Sequence, residues 1–355
     1  MGILESLPNK EQDLAGVVME IGNVYRATAR YADAEGYTRR ALELREKVKP
    51  QNADRTAYLL YSLANIFYQQ SRYREAKPFA ERGLELRKSK FPPTPIAVAL
   101  HTVQLGTVER ALGKYTIAGQ YLNDALTSYL KEGTEDDSSV ALVPLGILRR
   151  DQGELVESKS ILRKVVQIRE RARGPEDDSV AYASSELAET LRLLGEYDDS
   201  EVAYRRALLI RERVLGKNHP GVARAMQGLA ALYRKQGGAV QAEILLRRSL
   251  EIFRETVGAK VPYYARCERE IASVYMESGR LDEALALVSD ASEIFQDHLT
   301  LAHQETVEAL RTQAELLSKL GKTTEATEIE RKAAEGLKGL DPTAALLRQE
   351  NPPKD

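Results

Sequence analysis

A glycine or small residue closes an apolar helical pattern eight times in this chain, at Ala29, Ser71, Gly113, Gly153, Gly195, Gly237, Gly279 and Gly321. Six of the seven intervals are 42 residues and one is 40. So regular a period means one supersecondary unit copied eight times, each burying its apolar face on its neighbours. A globular chain of 355 residues would divide into two or three domains. A stack of repeats has no such ceiling, because every unit needs only the next one.

The sixth and seventh copies show the unit most clearly. Leu229-Ala230, Tyr233 and Gly237 are followed by Ala242-Glu243 and Ser249-Leu250; Ile271-Ala272, Tyr275 and Gly279 are followed by Glu283-Ala284 and Ala291. Apolar residues at i, i+4 and i+8 share one helical stripe, and the small residue beside the first admits a neighbouring helix closely. Glycine ends the helix because it enters the left-handed conformation without a Cβ clash. A second helix carries its own small-residue column, Ala41, Gly83, Ala125, Val165, Ala207, Ser249, Ala291 and Ala333. Breakers such as Lys49-Pro50, Pro92-Pro93, Gly133, Gly174-Pro175, Gly216 to Pro220 and Val261-Pro262 separate the copies. Each unit therefore reads as helix A, tight turn, helix B, turn.

These residues resemble the tetratricopeptide repeat, with its Leu-Gly/Ala, Tyr, Gly, Ala and Ala pattern. The 42-residue period resembles the long variant of kinesin light chains and many bacterial regulators, and Leu215-Gly216-Lys217-Asn218-His219-Pro220 looks like its inter-repeat signature. The sequence departs from the family in having no Trp. The resemblance implies an all-α, right-handed superhelical solenoid of eight helix-turn-helix tetratricopeptide repeats, with helix A on the concave side. The expected repeats span about 11–48, 53–90, 95–131, 137–173, 178–215, 220–257, 262–299 and 304–338, after an N-terminal segment 1–10 and before a C-terminal cap and frayed tail 339–355.

On that geometry the residue following the Tyr position faces the groove. It is Arg26, Tyr68, Arg110, Arg150, Arg192, Arg234, Met276 and Ser318 in turn. Four residues earlier lie Gly22, Gly106, Gly146, Ala188 and Ala230, so nothing bulky is expected to shield the guanidiniums. Arg224, Arg266 and Arg269 extend the patch, and Tyr58, Tyr61, Asn65 and Tyr182 complete the expected partner-binding face. An Arg ladder suits carboxylates or phosphates through paired hydrogen bonds. It also suits a solvated face: Arg192 has Glu189 and Glu196 within a turn, and Arg150 has Glu154. Arg26, Arg110 and Arg234 have no acid at i±3 or i±4, and of these Arg110 and Arg234 are the leading ligand residues. Three charge-assisted bonds at about 1.5–3 kcal/mol each give roughly 5–9 kcal/mol gross. Ordering a peptide costs about 2–5 kcal/mol, so micromolar affinity requires apolar anchors as well. The expected partner is a protein or peptide segment, acidic and extended, with aromatic or aliphatic anchors.

Other chemistry is weakly represented. Net charge is −2, and acids such as Glu189, Glu270, Glu308 and Glu315 sit on inner helices, which argues against a nucleic-acid backbone as partner. The four histidines lack metal-ligand spacing, and no phosphate-cradling loop, nucleophile elbow or carboxylate pair appears, so no metal, cofactor or catalysis is expected. Glu135-Asp136-Asp137-Ser138 and Glu176-Asp177-Asp178-Ser179 read as helix N-caps in preference to calcium loops. Cys267 alone fits a reducing, cytoplasmic setting; it reads as a packed thiol, with Arg266 and Arg269 able to activate it otherwise. Gly2 and Ser6 match an N-myristoylation pattern without a polybasic second anchor. The fourth copy carries the 40-residue interval and an internal Pro144, which reads as local drift or as a hinge; Arg149 there and Glu109 in the third copy are placed to pair. The reading that results is a non-enzymatic adaptor, the alternative a regulatory or sensor module of a larger multidomain protein.

Overall fold

The computed structural model describes residues 10–47, 53–89 and 94–341; Gly2 and Ser6 lie outside them. Helices pair in chain order: α1 (Lys10–Ala27) with α2 (Tyr31–Lys47), α3 (Ala53–Gln69) with α4 (Tyr73–Ser89), α5 (Pro95–Ala111) with α6 (Tyr115–Glu132), and α7 (Glu135–Asp151) with α8 (Leu155–Arg173). The pairing continues with α9 (Asp178–Leu193) and α10 (Tyr197–Leu215), α11 (Pro220–Lys235) and α12 (Ala239–Thr256), α13 (Pro262–Glu277) and α14 (Leu281–His298), and α15 (Gln304–Lys319) and α16 (Thr323–Lys338). The eight pairs form a right-handed superhelical solenoid.

The tight turns explain the period. All eight turn positions are left-handed, with φ of 76° to 81° at the six glycines, 59° at Ala29 and 58° at Ser71. In every copy the next residue donates its backbone N–H five residues back, as Lys114 does to Glu109 at 2.9 Å, and this closes the helix. Side-chain caps close the other end of α7 and α9: on α7 the N-cap is Thr134, not one of the expected acids, with Asp137 completing a reciprocal capping box, and Asp177 caps α9. Pro144 lies buried inside α7 without ending it.

Helix A of each copy packs on its own helix B and on the helix B before it, around the fully buried Ala41, Val165, Ala207 and Ala291. Successive A helices also approach one another, notably α5 with α7 and α9 with α11, whereas successive B helices stay further apart. That difference bends the stack and puts the A helices on the inside.

The bend is tight enough that the second superhelical turn rests on the first. Val257, after α12, packs with Ala29, Tyr31, Ala34 and Ile66. Arg74 donates to the carbonyl of Leu299, and Thr116 N–H donates to Asp341 at 3.1 Å; both pairs are 225 residues apart, about five repeats. Tyr73, Ala111, Phe295 and Leu299 share one apolar cluster across this seam, and His303 reaches the Ala111 carbonyl at 3.1 Å. The seam accounts for the two turns that lack glycine. Ala29 and Ser71 are 2% and 0% exposed. Their side chains fill the contact and offset a left-handed strain of about 1–2 kcal/mol. A Cβ at Gly195, Gly237, Gly279 or Gly321 would meet nothing within 4 Å, so no contact is available there to repay the strain.

The expected Glu109–Arg149 pair does not form. Glu109 bonds Lys77 of α4 at 2.7 Å, and Arg149 bonds Glu154 and Glu157 of its own copy at 3.0 and 3.2 Å. The Tyr position faces the preceding helix B, as Tyr233 shows by donating to Glu201 and Tyr275 by donating to Glu243. Lys77 and Glu109 fill that contact with a charge pair. The equivalent place opposite Arg149 is Gly119, which has no side chain to offer.

Candidate functional site

The inner face is built from the A helices, and its arginines are joined to carboxylates of the following copy. Arg110 donates to Asp151 at 2.7 Å and to the Tyr68 hydroxyl at 3.2 Å. Arg150 bonds Glu186 at 2.9 Å, Arg234 bonds Glu277 at 2.8 Å, and Arg266 bonds Glu305 at 2.7 Å. Arg269 bonds Glu308 and lies 3.4 Å from Glu270, which also approaches Arg234. Arg192 is the exception, holding Glu189 within its own helix through two bonds of 2.8 and 2.6 Å. Burial pushes Glu189 up, but Arg192, Arg150 and the Tyr204 hydroxyl outweigh it and hold the carboxyl at about 2. The ladder is therefore a set of fasteners between repeats. This corrects the expectation that Arg110 and Arg234 stand unpaired, because the acids that serve them come one repeat later and not one helical turn away.

The small residues near the ladder have a different task from the one expected. A Cβ on Gly22 would lie 2.8 Å from the Thr38 hydroxyl, and one on Gly146 would lie 2.8 Å from Leu162. Gly106 likewise faces Leu122. These glycines admit helix B of their own copy and do not open space around the guanidiniums.

Two arginines of the expected face bond no carboxylate among the described residues. Arg224 donates to the side-chain amide oxygen of Gln69 at 3.3 Å and to the Tyr263 hydroxyl at 3.4 Å, and stacks 5.4 Å from the Tyr263 ring. Gln69 belongs to the second copy and Arg224 to the sixth, so this contact crosses the groove. Arg26 has a buried Nε with no partner. Both act electrostatically on the hydroxyl of Tyr31, whose pKa burial raises and these two cations pull back. Tyr182 lies under Arg211 at 5.7 Å.

The remaining expected residues lie on α3, in the second copy. Tyr58 is 36% exposed and donates to Asn23 at 3.1 Å. Tyr61 packs edge-on to His101, Tyr68 is tilted on Tyr73, and Asn65 is half-buried on α3. Glu186, Tyr263 and Glu305 were missed; a search for acids about one period downstream of each Arg finds both carboxylates. Cys267 is fully buried and bonds the Ser249 hydroxyl at 3.3 Å; burial raises its pKa to about 12, against the activation its neighbouring arginines suggested. Among the described residues no cluster is placed to hold a metal ion, and no helix is long and apolar enough to cross a membrane.

A stack of paired helices with an inner polar groove defines a helical-repeat scaffold. The tetratricopeptide repeat family matches residues 13–89, 137–201 and 179–255, more than half of the chain, and the protein belongs to that family. Among solved structures, a Rap protein complexed with competence and sporulation factor is similar at a TM-score of 0.60 and 13% identity, over 94% of this chain and 99% of that one. The apo form of RapI matches at 0.56 and 15% identity, over 80% of this chain and 98% of that one. Nearly identical TPR-like repeats of a kinesin light chain from Podosopora anserina share 21% identity over 59% of this chain and 96% of that one, at a TM-score of 0.44. No curated protein matches the sequence.

Proposed function

We propose that this protein is a non-enzymatic interaction scaffold that holds an extended acidic segment of a partner protein in its inner groove. The observation that carries the reading is charge. Six groove arginines are served by carboxylates of the chain itself, whereas Arg224 and Arg26 bond none. A partly desolvated guanidinium without an anion is costly, and a partner's carboxylate relieves that cost. Tyr58, 36% exposed, and the half-buried Tyr182 offer flat surfaces on the same face for apolar anchors. The Rap protein of similar fold is solved with a bound factor, which supports a groove able to hold another molecule.

The test is fluorescence anisotropy with a labelled peptide containing several Glu residues and one aromatic anchor, at low and moderate salt. Arg224→Ala is expected to weaken binding by about tenfold, the worth of one charge-assisted contact. Arg110→Ala is expected to weaken it less, because Arg110 already holds Asp151. Equal affinity of Arg224→Ala and the parent protein refutes the assignment.

A further inference from the structure

We propose that α1 carries a second docking surface, separate from the inner groove, which takes an amphipathic helix of a partner protein with a basic residue near the helix's C-terminal end.

The other A helices show what such a face is for. Val17, Ile21 and Val24 form one stripe of α1 and are 45%, 37% and 63% exposed. One period on, the same places are Leu59, Leu63 and Ile66, and in the sixth copy Ala225, Leu229 and Leu232, all of them buried. Helix B of the preceding copy covers them there. Leu162 and Val166 of α8 cluster with Leu187 of α9, the equivalent of Ile21. Ser249 of α12 lies 3.3 Å from Cys267 of α13, the equivalent of Val17. Among the described residues no helix precedes α1, and its uncovered stripe lines an open groove of about 570 Å³. A terminal repeat ordinarily turns a polar face outward, as α16 does with Thr327, Glu330 and Arg331. The apolar stripe of α1 has the form of a place kept for a helix.

The inner copies also specify the occupant's chemistry. The covering face of α8 is Leu162, Val165, Val166 and Arg169, spaced i, i+3, i+4 and i+7. Arg169 donates to the carbonyl of Ser179 at 2.8 Å, and Arg211 of α10 to that of Gly221 at 2.9 Å. Where those copies have Ser179 and Gly221, α1 has Asp13, an exposed residue of the groove wall. An arginine arriving there meets a carboxylate as well as a carbonyl, and Glu20 adds a second acid to the wall. The same acids disfavour a second copy of this chain, because a two-fold contact would bring two acidic faces together. Three partly exposed aliphatic side chains also fall well short of the roughly 800 Å² per partner that a stable dimer buries.

The probe is a labelled peptide of the α8 sequence, residues 155–173, titrated into the full chain and followed by fluorescence anisotropy. Saturable binding is expected, at least about tenfold weaker for Ile21→Asp and for a peptide carrying Leu162→Asp. Asp13→Arg should weaken the parent peptide and restore a peptide carrying Arg169→Glu, a reversal that misfolding cannot produce. The acidic peptide of the inner groove should bind Ile21→Asp and the parent protein alike, so either surface can fail without the other. Equal α8-peptide affinity of Ile21→Asp and the parent overturns the proposal. So does a concentration-dependent dimer in sedimentation that Ile21→Asp abolishes, which gives the face to a second copy. A gain of about tenfold in peptide affinity on removing residues 1–9 gives it to that segment and overturns the proposal equally.

Discussion

His303 offers the sharpest test of whether the solenoid closes on itself. Its Nδ1 accepts from the Glu305 N–H at 3.2 Å and caps α15, which leaves the proton on Nε2, donated to the Ala111 carbonyl at 3.1 Å. The first bond is local, and the second spans 192 residues. His219 is an internal control two repeats earlier: it caps α11 by accepting from Gly221 N–H at 3.0 Å and makes no hydrogen bond to another repeat among the described residues. His219→Ala therefore loses one cap, worth about 0.5–2 kcal/mol. His303→Ala loses the same cap and leaves the buried Ala111 carbonyl unpaired, which adds about 1–3 kcal/mol. Urea unfolding monitored with hydrogen exchange should show the larger loss, with faster exchange at residues 111–116 in His303→Ala only. His303→Asn, which keeps a capping oxygen, should restore the cap term alone. Equal losses in the two Ala variants, with exchange at 111–116 unchanged, refute the reasoning. The pH dependence has a definite sign. Burial lowers the His303 pKa to about 4, so its contribution is complete above the unfolded value near 6.5 and falls away as the pH drops toward 4. His303→Ala should flatten part of that decline.

Three further predictions follow from local geometry. Gly195→Ala should cost about 1–2 kcal/mol from left-handed strain alone, since a Cβ there meets no atom within 4 Å; Ala29→Gly should be near neutral, because relief of strain is offset by loss of a buried methyl worth about 0.8 kcal/mol, and thermal melts of both variants decide it. Glu268 is buried near Asp290, with its pKa raised to about 8 chiefly by burial, so its stabilising neutral form is lost as pH rises from about 4.5 through 8. Glu268→Gln should thus be the more stable protein at pH 9 by about 1 kcal/mol or more, with the two converging toward pH 5 in denaturant titrations; identical curves at both pH values contradict this. A double-mutant cycle of Arg110→Ala and Asp151→Ala should give a coupling of about 1–2 kcal/mol, measured by urea unfolding, and a coupling near zero would mean the fastener is idle.

The repeat architecture was legible because one local rule recurs: a left-handed residue must end helix A, and glycine meets that need at six of eight positions. The two exceptions carried more information than the rule. Ala29 and Ser71 are where a side chain earns burial against the next superhelical turn, and no pattern within a single repeat could show it. The inner face was legible as a column of arginines, but its charge state was not. Helical periodicity looks for partners three or four residues away, whereas Arg110 meets Asp151 and Arg266 meets Glu305 about one repeat on. Arg224 stood in the sequence as an extension of the patch, and folding makes it the focus by bringing Gln69 and Tyr31 across the groove. The Glu109–Arg149 pair failed for a related reason, since that column looks back to the preceding helix B.

Closure of the superhelix underlies both the groove and the seam. The direct measurement is a spin-label distance between Lys114→Cys in the third repeat and Lys338→Cys in the eighth, in a Cys267→Ala background. Thr116 bonded to Asp341 predicts a single short distance, under about 25 Å with the label linkers included. An open solenoid would separate the same sites by five helix spacings of about 8–10 Å, roughly 40–50 Å. A dominant distance in that longer range would contradict the account.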